Sequence, residues 1–334
     1  MSNHKIKKII QACNSPKKEK YNILTFPTHE RYETQLCKTG HNFYSFSMDG
    51  QKEWNAEQTK PPENYYILPK GELPAFTEID MILVQSKFWQ FQVAAQILET
   101  LPVPMIVLEH TLPTPQTHNP EQIDQMRQMT GHVNIFISKF SQQQWNINSI
   151  NNYVLHHGID SETFKPLDIP KENHILTVAN DFKNRDFCLN YAGWERITNG
   201  MNVRLVGSKN GEGSTVCDSA EDMVKEYNKC KIYLNTTTLS PIPMSLLEAM
   251  ACGCAVVSTA TCMIPEIIRN GENGFISNDE SEIKSMIDTL QNDDELRKTM
   301  GENARSTITK HFSETAFINN WNEVFKQVYE VSQI

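Results

Sequence analysis

The sequence predicts an α/β chain of two Rossmann-like domains, and three observations carry that prediction. Short apolar runs alternate with segments of helical periodicity along most of the chain, the pattern of parallel strands flanked by helices. Between Pro243 and Val257 a helix start, a glycine stop and a buried strand follow one another closely. The alternation also runs through twice, interrupted at the extended Pro166–Pro170 segment, and 334 residues suffice for two cores of ordinary size.

Composition narrows the class. Hydrophobic content of 39% and charged content of 21% fit a soluble globular chain. There is no apolar run of membrane-spanning length and no signal-like apolar core near Met1, so the expected location is cytoplasmic. The eight cysteines form no CxxC pair, and Cys252 and Cys254 flank a glycine; reduced, buried thiols are expected rather than zinc or disulfides. A net charge of −9 argues against a general nucleic-acid binder. Most of that charge lies beyond residue 160, while Lys5, Lys7, Lys8, Lys17, Lys18 and Lys20 cluster at the start. A solvated leader accounts for that cluster, and a basic patch is the alternative.

The first domain opens with a strand at Asn22–Phe26, a loop at Pro27–Tyr32 and a helix through Leu36 that Lys38–Gly40 closes. A strand at Phe43–Phe46 follows. The loop lacks GxGxxG, so a dinucleotide dehydrogenase is not supported. Residues 48–78 are polar and Pro-rich, with a short strand at Tyr65–Leu68. Met81–Val84 is a buried strand, Phe88–Leu101 a helix with Phe91, Ala95 and Leu98 on one stripe, and Pro104–Leu108 the next strand. Glu109 and His110 end that strand, where chemistry in open α/β sheets is sited. Asn119-Pro-Glu-Gln122 is a helix start, and Val133–Ile137 another strand before Ser138-Lys139.

In the second half, Ile175–Val178, Val203–Gly207 and Ile232–Asn235 read as strands, with Asp218 capping a helix that carries Met223, Val224 and Tyr227. Pro243 suits the first helical position, where its missing N–H costs nothing. Leu246, Leu247 and Met250 keep helical spacing, Gly253 is placed for a left-handed cap, Ala255–Val257 is the strand, and a second loop is expected after it. The helix start is the chemical point: backbone N–H groups around Met244–Leu246 form an anion site, and Glu248 offers a carboxylate suited to paired hydroxyls. On spacing alone Glu248 is equally a solvated helix residue. Phe317, Trp321, Val324, Phe325 and Val328 form one face of a final helix.

The stretch from Ser240 through Ser258, continuing to Pro265–Ile276, resembles the donor-site motif of the retaining nucleotide-sugar glycosyltransferases of family 4 (group 1). That resemblance implies the GT-B arrangement, α/β with two facing Rossmann-like domains and a cleft between them. It sets an acceptor-side domain at 1–158, a donor-binding domain at 159–312 and a returning C-terminal helix at 313–334. It places Glu248 at the donor ribose, and Met244, Ser245 and Leu246 near the diphosphate. Ser240 takes the position of a Glu that commonly meets the sugar, and Pro243 that of a Gly; both are departures. The loop after Ile175–Val178 supplies Lys183 and Arg185 as the cations for the diphosphate, although Ala179-Asn180 replaces the usual Gly-Arg. His110 resembles a strand-end His of many members. His29, Glu30, Arg31 and Glu109 become acceptor-side candidates, with a polar loop and helix cap as the plain alternative for the first three. The Ser138–Phe140 element and Tyr153–Pro166 are similar to the family's crossing segments.

The implied reaction is glycosyl transfer with retention from a nucleotide-diphosphate sugar, UDP being the commonest carrier. The acceptor proton would pass to a departing phosphate oxygen, leaving His110 to position. There is no Asp-x-Asp motif, so neither a catalytic metal nor a cofactor beyond the donor is implied. A glycan or small-molecule acceptor is ranked first and a DNA base second. A non-hydrolysing nucleotide-sugar epimerase and a binding protein without turnover stay open behind them.

Overall fold

The computed structural model describes residues 18–56, 59–73 and 77–332. The chain divides into two compact units, one of the described residues through His156 together with those from Phe317, the other His157–Ala316.

The first unit is built on a seven-stranded, wholly parallel sheet. Its strands are β1 (Asn22–Thr25), β2 (Asn42–Ser45), β3 (Tyr65–Ile67), β4 (Met81–Val84), β5 (Met105–Glu109), β6 (Val133–Phe136) and β7 (Asn152–Val154), ordered β3-β2-β1-β4-β5-β6-β7. The order reverses between β1 and β4, where Ile23 pairs with Met81 and Leu24 with Ile82. Strands buried on both faces need continuous apolar runs, and Met81–Val84 is buried throughout. On one face Leu24, Ile82, Val84 and Val107 pack with Ala94 and Ile97 of helix α2 (Trp89–Thr100). On the other, α1 (Glu30–Cys37) meets the last helix, whose Trp321 indole donates to the Tyr32 hydroxyl at 3.1 Å. Helices α3 (Pro120–Gln128) and α4 (Lys139–Trp145) close the β5–β7 side. The helix start expected at Asn119 is present, and Asn119 and Gln122 form a complete capping box at α3.

The second unit carries a five-stranded parallel sheet of β8 (Ile175–Val178), β9 (Val203–Val206), β10 (Ile232–Asn235), β11 (Ala255–Ser258) and β12 (Phe275–Ile276), ordered β12-β11-β10-β8-β9. Helices α5 (Asp186–Leu189), α6 (Tyr191–Thr198) and α7 (Ala220–Lys229) precede α8 (Met244–Ala251); α9 (Ile264–Ile267), α10 (Glu280–Asn292) and α11 (Asp294–His311) follow it. Ile197, Ile283, Ile287, Leu290 and Met300 cover one face of β8, β10 and β11. Helix α12 (Glu314–Ser332) ends the described chain, and Phe317, Trp321, Val324, Phe325 and Val328 are its buried residues.

Local expectations need three corrections. Pro243 is the cap of α8 and lies outside its first turn, with φ −78° and ψ 113°. Ser219, rather than Asp218, caps α7, accepting the Asp222 N–H at 3.1 Å. Part of the loop expected after Ser258 is helical, as α9. The stop of α8 is as expected: Gly253 sits at φ +75°, and the Cys254 N–H returns to the Ala249 carbonyl at 3.0 Å, a Schellman closure.

That closure brings two backbones together. A Cβ on Gly301 of α11 would stand 2.1 Å from the Gly253 carbonyl oxygen. Gly301→Ala is therefore expected to destabilise the fold by about 1–3 kcal/mol through overpacking, read as a lower urea midpoint with an unchanged m-value.

Candidate functional site

In the second unit the loops after β8, β10 and β11 meet at the carboxyl ends of their strands. Thr238 and Leu239 each donate a backbone N–H to the Cys188 carbonyl of α5, at 2.9 and 3.1 Å. Thr261 donates its hydroxyl to the Thr237 carbonyl at 2.7 Å. Asn235 ties β10 to β11 through the Ser258 hydroxyl at 2.8 Å. The start of α8 joins this convergence: Ser245 Oγ accepts from the Tyr233 hydroxyl at 2.9 Å and lies 3.4 Å from the carbonyl of Val178, the last residue of β8.

The set of open amides at the start of α8 is smaller than the sequence suggests. The Leu246 N–H is taken by the Pro243 carbonyl at 3.1 Å, so the amides that precede the first closed turn are those of Met244 and Ser245. Glu248 is no solvated helix residue: it is 4% exposed, and its Oε2 accepts from the Tyr227 hydroxyl at 2.9 Å. Burial first, then the Glu248 charge, pushes the Tyr227 phenol far above its ordinary value, which keeps it a donor to that carboxylate. Ser240 lies half-buried just ahead of the helix.

Lys183 and Arg185 are exposed on the loop that leaves β8 at Val178, the residue Ser245 approaches. Buried Phe182 anchors that loop against Tyr191 and Trp194, with ring centroids 5.2 and 5.4 Å apart. Its N–H is held by Asn210 Oδ1 at 2.8 Å. Gly207 allows the approach, since a Cβ there would meet the Ala179 carbonyl at 2.0 Å. Two cations thus project from a rigid base on the strand that also receives the α8 start.

In the first unit, the loops after β1, β4 and β5 gather another set at the point where the strand order reverses. The His110 ring stands edge-on to His29 and to Tyr32, with centroids 5.1 and 4.7 Å apart. Its Nε2 is 3.1 Å from Gln85 Oε1. Gln85 Nε2 donates to Glu33 Oε1 at 2.9 Å, and that carboxylate also accepts the Thr28 N–H at 3.0 Å and the Tyr65 hydroxyl at 3.1 Å. Burial raises the Glu33 carboxyl to about 7, against the pull of these donors.

The other first-unit candidates divide. Glu30 pairs with Lys52 at 3.0 Å, and Arg31 is exposed on α1. Glu109 points inward: its carboxylate and the Lys87 ammonium form a buried pair at 2.8 Å. Lys87 also donates to the Met129 carbonyl at 2.7 Å and stands 5.1 Å from the Trp145 ring centre. Of the basic cluster, Lys18 is bound to Asp80 at 2.6 Å and Lys20 is exposed, while Lys5, Lys7, Lys8 and Lys17 lie outside the described residues. The seven cysteines among the described residues are free thiols. No helix among the described residues is long and apolar enough to cross a membrane.

Sequence reading missed Glu33, Gln85, Tyr227 and Tyr233. Gln85 had a signal, since it directly follows the apolar run Met81–Val84, the same strand-end rule that selects His110. Glu33 and the two tyrosines are drawn into place by partners distant in sequence.

The fold is that of the GT-B glycosyltransferases, two Rossmann-like units with parallel sheets. It matches sucrose-phosphate synthase from Thermosynechococcus elongatus with a TM-score of 0.73, at 14% identity, over 93% of this chain and 100% of that one. It also matches HepE from Anabaena in complex with UDP-glucose, with a TM-score of 0.72 at 15% identity, over 92% and 99% of the two chains. At these identities the likeness shows the fold alone. In sequence, residues 215–307, which hold α8 and Glu248, match the family Glycosyl transferases group 1. N-acetyl-alpha-D-glucosaminyl L-malate synthase from Bacillus anthracis is 32% identical over 85 residues, 25% of this chain and 22% of that protein. The capsular polysaccharide biosynthesis glycosyltransferase CapM of Staphylococcus aureus is 27% identical over 136 residues, 35% and 36% of the two lengths. The similarity to the curated relatives thus spans between about a fifth and a third of their lengths.

Two outcomes follow from the buried charges. A carboxyl held near 7 in the fold but near 4.5 when exposed binds its proton more tightly in the folded state. Stability contributed by Glu33 is therefore greatest below pH 4.5 and is lost as the pH rises to about 7, by about 3 kcal/mol. Glu33→Gln should flatten the fall in urea stability between pH 5 and pH 8 by about that amount. Breaking the buried pair by Lys87→Met should cost about 3–5 kcal/mol, seen in the same measurement.

Proposed function

We propose that this protein is a glycosyltransferase that moves a sugar from a nucleotide-diphosphate donor, UDP-linked, to the hydroxyl of a small molecule or glycan, with retention at the anomeric carbon. The observation that carries the reading is the second unit's strand-end site. There the α8 start and Glu248, inside the family match, adjoin a rigid loop presenting Lys183 and Arg185. The HepE complex with UDP-glucose supports the choice of carrier.

Each part has a physical task. The Met244 and Ser245 amides and the two cations suit a diphosphate, whose charge grows as it leaves. Glu248, held by Tyr227, accepts from the ribose hydroxyls. The bond from the anomeric carbon to the diphosphate oxygen breaks, the bond to the acceptor oxygen forms on the same face, and the acceptor proton passes to the departing phosphate. The donor is a substrate, and no separate cofactor or metal is assigned. His110, His29, Glu30 and Arg31 of the first unit serve the acceptor side. Glu109, spent on Lys87, supports that side from within. The departures at Ser240 and Pro243 fall where the sugar is chosen, so they bear on which hexose or pentose is taken.

A thermal-shift series over nucleotide diphosphates and nucleotide sugars, with and without duplex DNA, tests the reading. A donor at a hundred times its Kd should stabilise by about 2.7 kcal/mol. Glu248→Ala is expected to remove most of that shift. Exchanging Lys183 and Arg185 together for Ala should lower transfer by about 10²-fold without altering the ligand-free melting point, since both are exposed. No shift with any donor would overturn the function, and a further shift with DNA would make a nucleic-acid base the acceptor.

A further inference from the structure

The polar chain that ends at His110 has its hydrogen-bond directions set by main-chain groups. The Phe26 carbonyl can only accept, so the Thr28 hydroxyl spends its proton there, at 3.0 Å. Thr28 Oγ1 must then accept from Gln90 Nε2, at 2.9 Å. That turns Gln90 Oε1 to the Gln85 backbone N–H, at 2.9 Å, and fixes the peptide from which Gln85 departs. The Thr28 N–H can only donate, so Glu33 Oε1 is an acceptor whatever the state of the carboxyl; a proton on Glu33 would sit on Oε2, toward Tyr65. Gln85 therefore presents its NH2 to Glu33 Oε1, and the same amide must present its carbonyl oxygen to His110. Glu33, Gln85 and Gln90 are all nearly fully buried, at 2%, 3% and 1% exposed, so water does not offer either amide an alternative partner cheaply.

We propose that Gln85, anchored by Glu33, is a positioning residue that holds His110 as the Nε2–H tautomer. The placing of His110 on the acceptor side rests on the reading above; the tautomer does not. The rings of His29 and Tyr32 stand edge-on to the imidazole, and a half-turn of the ring about Cβ–Cγ would put Cε1 where Nε2 stands and forfeit the Gln85 contact. The charged and titratable groups around the chain include Glu33, Glu30, Tyr32 and Cys37 on α1, Tyr65 on β3, His29 on the loop after β1 and Lys52 beyond β2. The tautomer is set by hydrogen-bond direction, and the Glu33 carboxyl keeps Oε1 as an acceptor in both its states, so the arrangement is expected to survive the titration of Glu33.

The test is nitrogen-15 NMR of the histidine side chains in the full chain at pH 8.5, with the His110 signals assigned by their loss in His110→Asn. The wild type should show a protonated Nε2 and a lone-pair Nδ1 as a single form. Glu33→Gln, which can keep an oxygen toward Thr28 and Gln85, should retain that signature. Glu33→Leu frees Gln85 to turn its NH2 toward the ring and should shift His110 toward Nδ1–H. If Glu33→Leu does not fold, Gln85→Met replaces it; with the Nε2–H acceptor gone, the single Nε2–H signature should be lost. A wild-type ring protonated at Nδ1, or one signature across wild type, Glu33→Leu and Gln85→Met, overturns the proposal. The experiment needs no substrate. A correct tautomer series together with no donor binding would remove the proposed function and leave the Gln85 assignment standing.

Discussion

A parallel sheet covered by helices on both faces has no room in its body for a side chain that needs water, and the rest of this structure depends on that constraint. β4, β5, β10 and β11 are buried at every position. Parallel crossovers, most of them helical, start each strand from the same end of the sheet, so loops accumulate beyond the carboxyl ends of the strands. Polar chemistry has only those ends to occupy. In the first unit they hold His110, Gln85 and the loop with His29; in the second they hold Lys183, Arg185 and the start of α8.

Several of the polar groups that enter the interior are paired, and those pairs support the ends. Lys87 and Glu109 meet behind β5 with a Trp145 ring beside them. Their desolvation is offset by mutual attraction and by the Met129 carbonyl. Arg204 and Glu226 pair between β9 and α7. Tyr227 bridges from α7 to Glu248 of α8, so the carboxylate proposed for the ribose is oriented by a neighbouring helix. Glu33 goes furthest, accepting three hydrogen bonds and still holding its proton more tightly than an exposed carboxyl. Burial outweighs the donors there, and the free energy it costs is what makes the position sensitive to pH.

The two units differ in how far comparison reaches them. The group 1 match lies wholly within the second unit, whereas fold likeness to solved glycosyltransferases extends over more than nine-tenths of the chain. The donor side is thereby argued from sequence and geometry together. In the first unit the strand-end group of His110, Gln85 and Glu33 is defined by its hydrogen bonds.

Local rules acting over a few residues determined much of this protein from sequence alone. Continuous apolar runs marked the central strands, Asn119-Pro-Glu-Gln122 marked a helix start, and Gly253 marked the left-handed stop of α8. The spacing of Phe317, Trp321, Val324, Phe325 and Val328 marked the buried face of α12. Each depends on backbone geometry or periodicity, which neighbours in sequence specify. Only tertiary structure decided what the polar side chains do. Glu109 and His110 are adjacent at one strand end, yet Lys87 draws the first inward and Gln85 holds the second at the edge. Glu248 reads as a surface residue until Tyr227, 21 positions away, is brought against it. Ionisation and hydrogen-bond direction depend on desolvation and on partners that the fold supplies from distant segments, and no local pattern encodes them.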